Sequence, residues 1–224
     1  YFPETDHILE SSQRIVRAAL SGSSAYLKIA DGCDRACAFC AIPLIKGPMI
    51  SRPIADILAD ARDLEAEGVQ ELILIAQDTT AYGRDLGLAD GLVQLLRKLV
   101  REVPGIPWIR IMYTYPGMIS DDLIQLMAAE KQILPYLDIP LQHAHPEVLK
   151  RMHRPSDMDA VRATLAKMRQ AIPDLALRTT LIVGFPGETE EQFQTLLDFI
   201  EEERFDHVGI FPYSHEAGTS AYGL

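Results

Sequence analysis

The chain is 224 residues long, 48% apolar and 24% charged, an ordinary globular balance that suits one domain or two and suffices for a sizeable core. Its 21 Lys and Arg stand against 32 Asp and Glu, a formal net charge of -11. That excludes the basic footprint of non-specific nucleic-acid binding and suits, if anything, a basic protein partner. No apolar run reaches the roughly 18 residues of a membrane span, and the first residues lack the basic-then-apolar pattern of a secretory signal.

Residues 11–20 read as a short helix with Ser at its start and Gly22 as its stop. Tyr26–Ala30 is a strand-like apolar run closed by Asp31 and Gly32. Pro53 sits at a first helical position; Ile54, Ile57, Leu58, Ala61 and Leu64 recur at helical spacing, and Gly68 ends the segment. Glu71–Ala76 is a continuous apolar run, as in a strand buried on both faces. Leu92–Val100 is helical, Trp108–Met112 a strand, and Ser120 with Asp121 and Asp122 opens a helix to about Met127. Tyr136–Ile139 is a strand, followed by a helical pattern through Val161, Leu165 and Met168. Leu177–Val183 is the fifth strand, Thr189 and Gln192 form a capping box for a helix to about Glu203, and His207–Phe211 is the sixth strand.

Strands alternating with helices predict parallel βαβ units with right-handed crossovers. Six units are too few to close an eightfold barrel. The expected fold is therefore α/β, a partial open (β/α)6 TIM-like barrel, with a doubly wound open sheet as the alternative. In either, the loops after the strand C-termini form the active face.

All three cysteines lie on such a loop, in Gly32-Cys33-Asp34-Arg35-Ala36-Cys37-Ala38-Phe39-Cys40-Ala41-Ile42-Pro43, and none occurs elsewhere. An odd, clustered set does not make a disulfide framework and points to a reducing cytoplasm. The spacing also fits a buried stripe on one helix face, since free Cys packs as a small hydrophobe. Against that stand Gly32 and Pro43 as loop punctuation, the poor core neighbours Asp34 and Arg35, and the lack of a nearby fourth ligand for structural zinc. Three soft thiolates suit an iron–sulfur cubane with one iron left open.

The segment CDRACAFC has the C-x3-C-x-aromatic-C pattern of the radical S-adenosylmethionine (SAM) superfamily, whose partial (β/α)6 barrel agrees with the strand count. GCDRACAFCAIP, the SRP at Ser51–Pro53, LILIAQDTTAYG, DIPLQH, VLKRMHRP, TLIVGFPGET and FPYSHEAGTSA resemble the methylthiotransferases within it, over most of residues 26–221. The tRNA-modifying branch carries PVQSGS after the fourth strand and Arg-Pro-Gly-Thr near the end. Here Pro140–His145 reads PLQHAH and Glu216–Thr219 reads EAGT, which together with Ala76–Thr79 resemble the ribosomal-protein branch.

That resemblance implies that Cys33, Cys37 and Cys40 hold a 4Fe–4S cluster whose open iron takes the amino and carboxylate groups of SAM. Reductive cleavage of the sulfonium would release a 5′-deoxyadenosyl radical, with electrons from an external donor. Phe39 is expected beside the adenine, or in ordinary packing, and Gln77-Asp78 near the methionine amine, unless Asp78 caps the following turn. Gln142 is a candidate for ribose or carboxylate contact, and Arg154 and Arg178 are each expected to pair with the carboxylate or to be solvated surface charges. Gly184, in Gly184-Phe185-Pro186-Gly187-Glu188, would allow close backbone approach or simply a tight turn. His143 and His145 are expected to position groups or contact substrate, because radical hydrogen abstraction needs no general base.

The family's substrate here would be an aspartate β-carbon of small-ribosomal-subunit protein twelve, with a tRNA adenosine or a non-catalytic iron–sulfur or zinc module as alternatives. No membrane is expected, nor direct binding of nucleic acid to this domain. Residues 1–24 read as a lead-in and 25–224 as the radical domain. The family also has an N-terminal domain whose cysteines hold an auxiliary cluster, and a C-terminal TRAM-type substrate-binding domain. Neither is expected within this sequence, so the fragment should cleave SAM without completing methylthiolation.

Overall fold

Alternating burial along consecutive parallel strands positions everything else in this fold. The computed structural model describes residues 23–224. The helix expected over residues 11–20, and most of the lead-in, fall outside those residues. The strands of the main sheet are β1 (Ser24–Lys28), β4 (Glu71–Ile75), β5 (Trp108–Ile111), β6 (Ile133–Asp138), β7 (Ala176–Val183) and β8 (His207–Pro212). They pair in chain order, β1-β4-β5-β6-β7-β8, and every pairing is parallel. Between them run α2 (Ile54–Ala66), α3 (Gly91–Glu102), α4 (Asp121–Ala129), α5 (Pro146–Arg151), α6 (Met158–Ala171) and α7 (Glu190–Glu203).

The strand order decides between the two expected architectures. Right-handed crossovers that always step the same way leave every helix on one face. A doubly wound sheet needs a point where the order reverses, and none exists here. The sheet is singly wound, with β1 and β8 unpaired to each other among the described residues, which is the open partial barrel.

Leu72 and Leu74 of β4, Ile109 and Ile111 of β5, Ile133 and Leu137 of β6, and Leu177 and Leu181 of β7 are buried against the helices. Ile57, Leu64, Leu95, Leu99, Leu123, Leu165 and Phe199 meet them from the helical layer in one continuous core. The ELILIA segment is not buried equally on both faces, as its composition suggests. Glu71, Ile73 and Ile75 are only half-buried because they face the concave side of an unclosed barrel. There polar groups chain across the strands. Ser24 Oγ donates to Glu71 at 2.9 Å, Arg110 Nε donates to Glu71 at 2.7 Å, and Arg110 lies 4.8 Å over the Tyr136 ring.

Several local expectations are corrected. Pro53 is the N-cap of α2 rather than its first residue. Pro43 is no loop punctuation: it lies in the first turn of α1 (Ile42–Lys46), where its missing N–H costs nothing. A two-stranded antiparallel hairpin of β2 (Ala30–Asp31) and β3 (Ile50–Ser51) brackets the cysteine segment, its strands too short to carry a period. β6 begins three residues earlier than expected, and the long helical pattern after it divides into α5 and α6 around Pro155.

The capping box at Thr189 is complete in both directions, with Gln192 N–H donating to Thr189 Oγ1 at 3.3 Å and Thr189 N–H donating to Gln192 Oε1 at 3.2 Å. Thr189→Ala is expected to cost about 1 kcal/mol of stability, read as a lower urea midpoint at unchanged slope.

Candidate active site

The cysteine loop runs from Gly32 to Ala41, above the C-terminal end of β1. Gly32 has φ 73°, and a Cβ there would sit 2.0 Å from the Pro48 carbonyl oxygen, so no other residue fits the turn. Backbone bonds then pin the loop from two sides. Cys33 N–H donates to Gly47 at 3.1 Å, and the Asp34 carboxylate accepts Met49 N–H at 3.0 Å, tying one end to the hairpin. Ala38 N–H donates to Met152 O at 2.9 Å, and Ala38 O accepts from Ala221 N–H at 2.8 Å, tying the other end to α5 and to the last turn of the chain.

Ala38 is buried in a second small core with Val148, Met152, Phe185 and Ala221, against which Phe39 packs. Holding Ala38 inward leaves Cys37 and Cys40, on either side of it, facing outward. They and Cys33 line a cavity of about 390 Å³ at the strand C-termini, together with Arg35, Phe39, Gln77, Tyr113, Tyr115, Gln142 and Arg154.

Burial pushes the Cys33 and Cys40 thiols up, against the opposing pull of the Arg35 amide on Cys33 and of the Ile42 amide and Arg154 on Cys40. Thiols held in this way need a strong cationic partner to stay ionised. Among the described residues no His, Cys, Asp or Glu group is placed to hold a single metal ion. Three half-buried sulfurs around a shared cavity suit a cluster that spreads its thiolates over several irons, which is the chemistry the resemblance implies.

The remaining candidates divide. Phe39, Gln77, Gln142 and Arg154 line the cavity; Asp78, Arg178 and Gly184 do not. Gln142 has φ 77°, a strained value for a non-glycine residue. It is held there by its N–H donating to Thr180 O at 2.9 Å and its carbonyl accepting Ile182 N–H at 2.8 Å. Its Oε1 is buried with no partner, a site for a donor on a bound ligand.

Asp78 turns away from the cavity. Its carboxylate accepts the Ala81 N–H at 3.2 Å and the Thr80 hydroxyl, capping the turn that follows, and pairs with Arg35 at 2.7 Å. Arg178 belongs to the concave polar chain, 3.4 Å from Asp138, whose carboxyl is pushed up by burial. Gly184 is exposed, its φ of 72° serves the turn after β7, and no atom of the chain lies within 4 Å of where its Cβ would be.

His143 and His145 also have structural occupations. His145 Nδ1 caps α5 by accepting Glu147 N–H at 3.2 Å. His143 is fully buried; its Nδ1 accepts His145 N–H at 2.9 Å, which leaves Nε2 protonated to donate to Glu188 at 3.3 Å. This clasp joins the loops after β6 and β7.

Arg35, Tyr113 and Tyr115 line the cavity without being anticipated. Arg35 and Arg154 both stack on Tyr115, with guanidinium carbons 3.9 and 4.2 Å from the ring centroid. Tyr113 has φ 57° and a half-exposed ring. Tyr113 directly follows the predicted strand Trp108–Met112 and Tyr115 comes two residues later, on the loop from which both could have been found.

Asp78→Asn keeps an acceptor for the cap but removes the charge facing Arg35, and is expected to cost about 2 kcal/mol, read by urea denaturation. Burial drives the His143 imidazole below its ordinary value of 6.5, outweighing Glu188. The unfolded chain therefore takes up a proton first as pH falls, so the stability this clasp contributes is complete above about pH 6.5 and declines below it. The gap in urea midpoint between wild type and His143→Gln is expected to narrow between about pH 7.5 and about pH 5.5.

The chain matches the family model described as the radical SAM superfamily over residues 27–200. It is 54% identical over 209 residues to the ribosomal protein uS12 methylthiotransferase RimO of Roseiflexus sp. (strain RS-1), covering 93% of this chain and 44% of that protein. The RimO of Chloroflexus aurantiacus is 52% identical over 209 residues, 93% of this chain and 46% of its own length. The chain thus spans less than half of these curated relatives. Among solved structures, the radical SAM methyltransferase TsrM from Kitasatospora setae, with tryptophan and a SAM analogue bound, aligns with TM-score 0.68 at 18% identity over 84% of this chain and 36% of its own. Methylornithine synthase (PylB) aligns with TM-score 0.61 at 15% identity over 92% and 58%. These two show the fold alone, but the family match spans most of the barrel and both ends of the cysteine loop: the chain belongs to the radical SAM superfamily.

Proposed function

We propose that this chain is the radical-generating core of a methylthiotransferase that modifies a ribosomal protein of the small subunit. The observation that carries the reading is the placement of Cys33, Cys37 and Cys40 on one pinned loop around a cavity at the strand C-termini. The three thiolates would hold a 4Fe–4S cluster, and the cavity beside them would take SAM. Bound there, the pair supplies one-electron reductive cleavage of a sulfonium, and the substrate radical chemistry follows from that.

This chain's own residues bind, orient and exclude water. Phe39 offers an apolar wall for a flat base. Gln77 and Gln142 offer amides to polar groups of the cofactor, with the strained Gln142 backbone aiming its unpartnered oxygen inward. Arg35 is held by Asp78 against Tyr115, which closes that side of the cavity.

The choice of a ribosomal protein over tRNA is supported by the names of the relatives and by the PLQHAH and EAGT segments. A formal charge of -11 suits a basic ribosomal protein and gives no footprint for RNA. The auxiliary cluster, the electron donor, a cytoplasmic setting and the complete reaction belong to the longer protein of which this core would be part.

Anaerobic reconstitution with iron and sulfide is expected to give a bound cluster whose spin-resonance spectrum changes on adding SAM, and 5′-deoxyadenosine on reduction. Cys37→Ser is expected to lose most of the iron. A cluster indifferent to SAM would overturn the radical reading. With the full-length enzyme, product on tRNA and none on the ribosomal protein would overturn the substrate.

A further inference from the structure

Two arginines stack on Tyr115, and only one of them is neutralised. Arg35 lies 2.7 Å from the Asp78 carboxylate. Arg154 has no carboxylate within ion-pairing distance among the described residues, although the residue is only 9% exposed. Its contacts are the Pro140 carbonyl, the face of Tyr115 at 4.2 Å, and the Cys37 sulfur, 3.6 Å from Nη1, while Nε has no partner. A buried guanidinium without an anion is strongly disfavoured. The group it faces is a cysteine placed to be a thiolate, so the missing anion is the sulfur set itself.

We propose that Arg154 is the counter-ion of the cysteine-held cluster and raises its reduction potential through the Cys37 sulfur. This rests on the cluster assignment above and reassigns Arg154 from a contact to the cofactor carboxylate. The backbone supports the assignment. His153, at φ 54°, turns the chain out of α5, and Arg154 N–H then donates to Leu149 O at 2.8 Å, which fixes where the side chain starts. The same α5 terminus supplies the Met152 carbonyl that holds Ala38, so one turn of chain positions both the sulfur and the cation. A cation and an N–H donor beside a thiolate favour the more negative, reduced state of the centre, which makes Arg154 a positioning residue acting through Cys37.

The test is a potentiometric titration of the reconstituted chain, without SAM, for wild type, Arg154→Gln and Arg154→Lys, with iron content and circular dichroism measured on each sample. Arg154→Gln is expected to titrate at a lower potential than wild type at matched iron content. Arg154→Lys, which keeps the charge and loses the fork, is expected to fall between them. Equal potentials at matched iron content overturn the proposal. If Arg154→Gln does not fold or hold iron, Arg154→Lys decides: a lowered potential supports the proposal and an unchanged one overturns it. A wild-type chain that binds no cluster would instead refute the assignment on which this rests.

Discussion

Parallel strands stepping in one direction put every strand C-terminus on the same rim, and the whole site is built on that constraint. Cys33, Gln77, Tyr113, Gln142 and Arg154 come from far-separated parts of the sequence yet meet around one cavity, because they follow the ends of four successive strands of the main sheet, Gln142 and Arg154 both after β6. The helical layer contributes apolar burial and little chemistry. Conversely, the polar residues lower on the concave face, Glu71, Arg110, Tyr136 and Arg178, satisfy one another and leave the rim to the cysteines.

The loop itself is shaped by two small residues. Gly32 lets the backbone pass within reach of Pro48, and Ala38 fits a pocket among Val148, Met152, Phe185 and Ala221. A larger side chain at either position would push the sulfurs away from the cavity. The rim is held further by the His143–Glu188 clasp and the Asp78–Arg35 pair, polar contacts that fasten neighbouring loops.

What could be read in advance follows from which features repeat. Long apolar periods revealed six strands and their helices, and the lone cysteine triplet marked the loop. β2, β3 and α1 were hidden because two-residue strands and a five-residue helix have no period, and because Pro43 signals a helix start as readily as a loop. Gln77 and Asp78 are adjacent, and their sequence does not say which faces the cavity. Thr80 and Ala81 decide it, by giving Asp78 a turn to cap. Arg154 and Arg178 look alike on paper; only the fold puts one beside sulfur and the other beside Asp138.

The sheet does not close, yet the chain does. β1 and β8 make no ladder with each other among the described residues, but the loop that follows β1 and the segment that follows β8 are joined by the Ala38–Ala221 bond, with the Tyr213 hydroxyl donating to Ala221 O at 3.2 Å. The seam of the barrel is thus zipped at the cysteines themselves. A contact between residues this distant in sequence closes a loop that holds almost the whole barrel, and its closure entropy is offset by the burial of Ala38 and Ala221 in the small core they share. The spacing of the sulfurs is therefore set by the two ends of the barrel together, so that loosening the segment after β8 would disturb the cysteine loop directly.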